Sequence, residues 1–176
     1  MSATYESTSS VVKAAPKDKR LLVFAISILV VVLDRITKLI VAQQLPNGQA
    51  HTVIPGIFRI SDVHNIGAAF SMFAENASPV TVRNILIAFS VVAVILLFGM
   101  IWRVGRHLTL TSVALALILG GAFGNLYDRV VYHYVIDFLE VRIIHYHWPD
   151  FNVADSCIVI GACLLLIEIF RPQPNT

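Results

Sequence analysis

Charge is what this chain has least of. Asp, Glu, Lys and Arg make up 14% of its 176 residues and hydrophobic residues 57%, where a soluble domain carries about 25% charged residues. The mean hydropathy is +0.76 and the net charge +2, and no nucleic acid is expected as a partner. Cysteine is nearly absent. Cys157 and Cys163 fall six residues apart in one apolar run, on roughly opposite faces of a helix, so no disulfide is expected. They read as buried apolar thiols. No small-residue cleavage site follows the first apolar run, which is therefore expected to stay as a span. There is no H-E-x-x-H helix, no matched set of cysteine ligands and no G-x-S-x-G turn. Without them, His145, His147 and Asp150 in "HYHWPD" read as interfacial anchors among aromatics, and neither metal nor cofactor is expected. Lys38 acting as base for Ser71 or Ser156 is likewise a weak reading.

What the chain does have is long apolar runs. A transmembrane helix needs about 20 consecutive apolar residues, and four stretches qualify: Leu21–Val41, Ile85–Val104, Leu108–Leu126 and Val153–Phe170. Lys13, Lys17, Lys19 and Arg20 precede the first run, Arg103 and Arg106 fill the short connection between the second and third, and Arg171 follows the fourth. The positive-inside rule then puts both termini in the cytoplasm and both long loops outside. The expected fold is a membrane all-α chain of four transmembrane helices, N-in/C-in, with a small periplasmic β-containing loop domain and an interfacial segment. Residues 1–20 form a cytoplasmic tail, 21–170 the membrane domain and 171–176 a second cytoplasmic tail. The first outer loop, about 44–81, holds "HTVIPGIFRIS", which suggests one or two short strands, and then "NIGAAFSMF", suited to the interface. The second, about 129–152, reads mainly as loop. Nothing in the sequence demands more than a monomer.

Ionisable residues inside spans are costly and default to functional candidates. At ~1.5 Å rise per residue, Asp34 lies in the outer half of the first span and Lys38 one turn beyond it. The third span travels outward and ends with Asn125, Asp128 and Arg129, and Asp137 follows in "VIDF". Asp155 sits in the first turn of the fourth span. Each has a structural reading as well. Asp34 and Lys38 have i,i+4 ion-pair spacing, Asn125, Asp128 and Arg129 suit a helix end, and Asn152 with Asp155 has capping-box spacing. Their convergence on one depth favours a single polar site. Two carboxylates from different segments would share it, one protonated and one ionised because repulsion and desolvation raise one pKa. Such a pair can activate water and donate a proton to a carbonyl, which is amide hydrolysis without a metal. A carrier would instead place its polar groups near the midplane and often repeat its halves.

Five motifs occur in order on this layout: "DRITK", "NIGAAFS", "GGAFGNLYDR", "VIDF" and "FNVADS". Together they resemble lipoprotein signal peptidase, or signal peptidase II, a bacterial inner-membrane aspartyl peptidase, over about residues 21–170. The resemblance implies removal of signal peptides from prolipoproteins, just before a diacylglyceryl-modified cysteine, with membrane lipids around the site and inhibition by cyclic peptide antibiotics of the globomycin type. It implies Asp137 and Asp155 as the catalytic aspartates. Asp34, Lys38, Asn65, Gly121, Asn125, Asp128, Arg129 and Asn152 then support the site or bind substrate.

Overall fold

The computed structural model describes residues 17–45, 48–67, 78–144 and 146–171. Its first helix, α1 (Arg20–Gln44), buries Val23, Ser27, Val30, Asp34, Lys38 and Val41, a stripe at helical i,i+3/i+4 spacing. Half of that stripe is polar, while Ile28, Leu29, Leu33, Ile36 and Ile40 face outward. A helix with polar residues inside and aliphatic residues outside is suited to lipid, where the outer face loses nothing by exposure.

Among the described residues, three further helices pack with it. α2 (Pro79–Val104) starts where Ser78 accepts from the Thr81 amide, with Pro79 in the first turn, where its missing N–H costs nothing. It begins earlier than the expected Ile85, because that cap lies ahead of the apolar run. α3 (Leu110–Val131) opens with a Thr109–Ser112 capping box. It runs five residues past the expected end at Leu126, so Asp128 and Arg129 lie within the helix. α4 (Val153–Phe170) opens with the expected Asn152–Asp155 capping box. By length and composition α2, α3 and α4 are each able to cross a membrane. α1 is as long, but Asp34, Arg35 and Lys38 interrupt its apolar run.

α3 is the centre of the bundle and packs against α1, α2 and α4, whereas no substantial contact joins α2 to α4. Small residues permit this. A Cβ on Gly121 would strike the Ala154 carbonyl oxygen, and one on Gly124 would come 2.7 Å from Asp34 Oδ2. Small residues let helix backbones approach closely where no hydrophobic force drives association. Val23, Ile101, Leu115, Ala116 and Leu119 form the dry core of one half. α4 buries only Ala154 and Gly161 fully, so the expected burial of its thiols does not hold: Cys157 is half-buried and Cys163 exposed.

The two long connections meet in one antiparallel sheet of four strands in sequence order: β1 (Ala50–Ile54), β2 (Phe58–Asn65), β3 (Val135–Ile143) and β4 (Tyr146–His147). One or two short strands were expected in the first connection, and it forms two, β1 and β2. The second connection was expected to be loop, yet β3 is the most buried strand, with Val135, Ile136, Asp137 and Phe138 all inaccessible. Its alternation explains this. Ile136 and Phe138 turn one way onto Val41, and Asp137 between them turns the other way. A bridge between Leu139 and Phe151 returns the chain to the start of α4.

Candidate active site

Asp137 enters the site from β3. It is 2% exposed, and each of its oxygens accepts an amide hydrogen: Asn65 Nδ2 donates to Oδ2 at 2.7 Å and Asn152 Nδ2 to Oδ1 at 2.7 Å. Asn65 lies at the end of β2, whose Val63 pairs with Asp137 across the ladder. Its own carbonyl accepts from the Gly67 amide at 2.8 Å, which turns the NH2 end toward Asp137. Gly67 has φ +93, and a Cβ there would come 2.8 Å from Leu86, so this turn needs glycine.

Asp155 arrives from the first turn of α4. The Asn152 backbone N–H donates to its Oδ2 at 3.2 Å and Asn125 Nδ2 to its Oδ1 at 2.7 Å. Asn152 Oδ1 accepts from the Asp155 amide in return. Asn152 therefore holds both carboxylates, Asp137 through its side chain and Asp155 through its backbone. Both acids open onto a cleft of about 500 Å³, whose walls include Asn65, Trp148, Asp150 and Ser156.

Behind the pair lies a second cluster. Asn125 Oδ1 accepts from Asn152 Nδ2 at 3.3 Å and from Lys38 Nζ at 3.1 Å. The fully buried Lys38 ammonium is also 2.8 Å from Asp34 Oδ2 and 2.8 Å from Asp128 Oδ2. Asp34 Oδ1 accepts from the Ala154 amide at 3.0 Å, so α1 satisfies a free N–H of the α4 terminus. Asp128 carries a second cation. Arg35 Nη1 lies 3.1 Å from its Oδ1, Arg35 Nη2 donates to the Tyr132 hydroxyl, and the guanidinium stacks over the rings of Tyr127 and Tyr132.

Burial raises Asp137 to about 7, and the nearby Asp155 charge adds to this. The two asparagine donors and the Lys38 charge pull the other way. A carboxyl poised near neutrality can both give and take a proton. Its neighbour Asp155 shares one of these supports, Asn152. The pair is thus arranged for acid–base work, with amides rather than cations holding each oxygen.

Of the residues singled out in the sequence, Asp137, Asp155, Asn65, Asn125 and Asn152 converge on one network, with Asp34, Lys38 and Asp128 directly behind. Gly121 serves α3–α4 packing and touches neither carboxylate. Arg129 donates to the Asn125 backbone carbonyl at 3.2 Å and makes no ion pair among the described residues. The Lys38 ammonium is engaged by Asn125, Asp34 and Asp128, the Ser156 hydroxyl donates to the Asn152 carbonyl, and Ser71 lies outside the described residues. His147 and Asp150 do come together, with Glu140 as the third member. Glu140 already accepts Arg142 at 2.7 Å and has Arg59 at 3.5 Å. That makes the set an ion-pair network before any cation arrives. His145 lies outside the described residues, as do residues 68–70 of "NIGAAF". Sequence reasoning passed over Arg35, Tyr127 and Tyr132. The signal was an arginine beside Asp34, about 100° round the helix and so aimed at a different neighbour.

The chain also resembles known proteins in sequence and in fold. The family model described as signal peptidase (SPase) II matches residues 26–171. The lipoprotein signal peptidase of Pseudomonas putida is 43% identical over 163 residues, covering 92% of this chain and 94% of that protein. That of Solibacter usitatus is 40% identical over 156 residues, covering 89% and 94%. A bacterial membrane enzyme solved by the in meso method at 1.9 Å has the same fold, with a TM-score of 0.78 and 28% identity over 90% of this chain and 99% of that one.

Proposed function

Because this chain belongs to the signal peptidase (SPase) II family and is a multi-pass membrane peptidase, we propose that it cleaves prolipoproteins immediately before a diacylglyceryl-modified cysteine, with Asp137 and Asp155 as its catalytic pair. The single observation that carries the reading is the network itself. Two aspartates from different elements open on one cleft, and one asparagine, Asn152, holds them both.

In this mechanism α1 is the fourth span. Its charges are tolerated in the membrane because each is paired inside the bundle. Both termini face the cytoplasm of a bacterial inner membrane, and the sheet lies on the periplasmic side with the cleft at the membrane surface. The signal helix enters sideways from lipid, while the diacylglyceryl chains stay in the lipid phase. With the proton on Asp137, Asp155 is the base that takes a proton from water as that water attacks the scissile carbonyl. Asp137 donates to the carbonyl oxygen, and the tetrahedral intermediate collapses with proton transfer to the departing amine. Arg129 and Asn65 hold the peptide or lipid carbonyls. The enzyme acts as a monomer without metal or cofactor, and globomycin-type cyclic peptides occupy the same cleft.

The test is cleavage by the purified chain in detergent of a prolipoprotein with and without the diacylglyceryl group, with the product read by mass spectrometry. Release of a fragment whose first residue is the lipidated cysteine, insensitive to chelators, is expected. Cleavage at another bond, or equal turnover of the unmodified protein, would overturn the reading.

A further inference from the structure

Asp150 is a third carboxylate in the wall of the cleft, and the mechanism above makes no use of it. The cleft has two ends. One follows α4 through Ser156, Val159 and Ile160, which at ~1.5 Å per residue extends about 10 Å along the helix from its first turn. The other is the segment before α4, Trp148–Asp150. That segment is fixed to the sheet by the Trp148 amide, which donates to the Val141 carbonyl at 2.9 Å, and by the Phe151–Leu139 bonds. On the proposed function, which this inference presupposes, α4 enters the bilayer from its N-terminus. The apolar end then faces the signal helix. The Trp148–Asp150 end faces the part of the substrate that stays outside, the residues after the modified cysteine.

The surroundings leave the Asp150 charge open to a ligand. The nearby cations are committed to Glu140: Arg142 places Nε at 2.8 Å and Nη2 at 2.7 Å from Glu140 Oε1, and Arg59 Nη1 lies 3.5 Å from the same oxygen. Among the described residues Asp150 Oδ1 is buried without a hydrogen bond, and its one ion contact is His147 Nε2 at 3.6 Å, with His147 itself half-exposed and shared with Glu140 at 3.4 Å. Burial pushes the Asp150 carboxyl up, opposed by the charges of His147, Arg142 and Arg59, as for a carboxylate that gains from a further cation.

We infer that Asp150 is a specificity-determining residue, selecting cationic side chains and rejecting acidic ones in the two residues that follow the lipidated cysteine. A Lys or Arg there meets a desolvated carboxylate with no strong partner. An Asp or Glu adds a like charge to a wall that already holds Asp137 and Asp155, and like charges brought together across an interface discriminate strongly between partners.

The experiment uses three diacylglyceryl-modified prolipoproteins that differ only in carrying Lys-Lys, Ala-Ala or Asp-Asp directly after the cysteine. kcat/KM is measured at pH 8 for the wild type, Asp150→Asn and Asp150→Lys. The wild type is expected to favour Lys-Lys over Asp-Asp by about ten-fold. Asp150→Asn should bring the ratio to within about two-fold, and Asp150→Lys should invert it. The ratio is insensitive to any general loss of activity or folded fraction in the variants. Equal rates on the three substrates with the wild type, or a ratio unchanged in Asp150→Asn, would overturn the inference while leaving the proposed function standing. Failure of the wild type to cleave any of the three would overturn the function and this inference with it.

Discussion

Two pairs of aspartates share one hydrogen-bond network and are treated in opposite ways. Asp34 and Asp128 are each 1% exposed and enclose the Lys38 ammonium, with Arg35 as a second cation on Asp128. Asp137 and Asp155 receive asparagine amides instead and open on the cleft. An ammonium or guanidinium beside a buried carboxylate offsets its charge and holds it in place. Amides orient a carboxylate without settling its charge, so desolvation and the neighbouring acid decide where its proton resides. On the proposed function the first pair holds and the second reacts. Asn125 joins them, donating to Asp155 while accepting from Lys38.

The largest stability effect is expected where the first pair loses its cation. Lys38→Met leaves the buried Asp34 without a cation and Asp128 with Arg35 alone, and breaking a buried ion pair in this way costs about 3–5 kcal/mol. Thermal unfolding in detergent should drop accordingly, and combining Lys38→Met with Asp34→Asn and Asp128→Asn should recover part of the loss. A Lys38→Met variant that melts like the wild type would show that the cation does not hold the first pair.

The second pair should betray itself through pH. Asp137 stands at about 7 in the fold against an ordinary 3.8, so the fold binds its proton more tightly than the open chain does. Its contribution to stability is complete below about pH 4 and is lost as the pH rises through about 7, by up to about 4 kcal/mol. Asp137→Asn removes that titration. Its melting temperature should therefore gain on the wild type between pH 5 and pH 8, and a constant gap would contradict the assignment. The alkaline fall in kcat/KM should share this midpoint, as an apparent value belonging to the pair.

Arg35→Gln should have the smallest effect. It removes one of two cations from Asp128 at a partly exposed position, along with the stacking on Tyr127 and Tyr132, worth about 1–2 kcal/mol in all. Arg35→Lys should restore the ion pair and only part of the stacking. A loss as large as that of Lys38→Met would mean that Arg35, not Lys38, anchors the first pair.

Much of this contrast was legible before the fold was seen. The helical runs were set by apolar length, and the Asn152–Asp155 cap by its three-residue spacing. The i,i+4 placement of Asp34 and Lys38 announced their pairing. The sheet was less legible, because β2 and β3 lie seventy-odd residues apart in sequence and only their pairing, Val63 against Asp137, shows that both outer connections form one platform. The double role of Asn152 was hidden for the same reason. Its spacing reveals the cap within its own helix, but not the bond from its side chain to a strand. The extension of α3 to Val131 was missed because Asp128 and Arg129 interrupt the apolar run, while the helix continues through the buried polar contacts made by Asp128.

The most direct test compares single Asp→Asn changes at all four positions, with turnover of a diacylglyceryl-modified prolipoprotein and melting behaviour measured on the same preparations. Asp137→Asn and Asp155→Asn are expected to lose turnover by about four orders of magnitude, the scale of removing a member of a catalytic set, without a fall in melting temperature at pH 8. Asp34→Asn and Asp128→Asn should melt lower and still cleave. Near wild-type turnover by either Asp137→Asn or Asp155→Asn would contradict the division into a holding pair and a reacting pair.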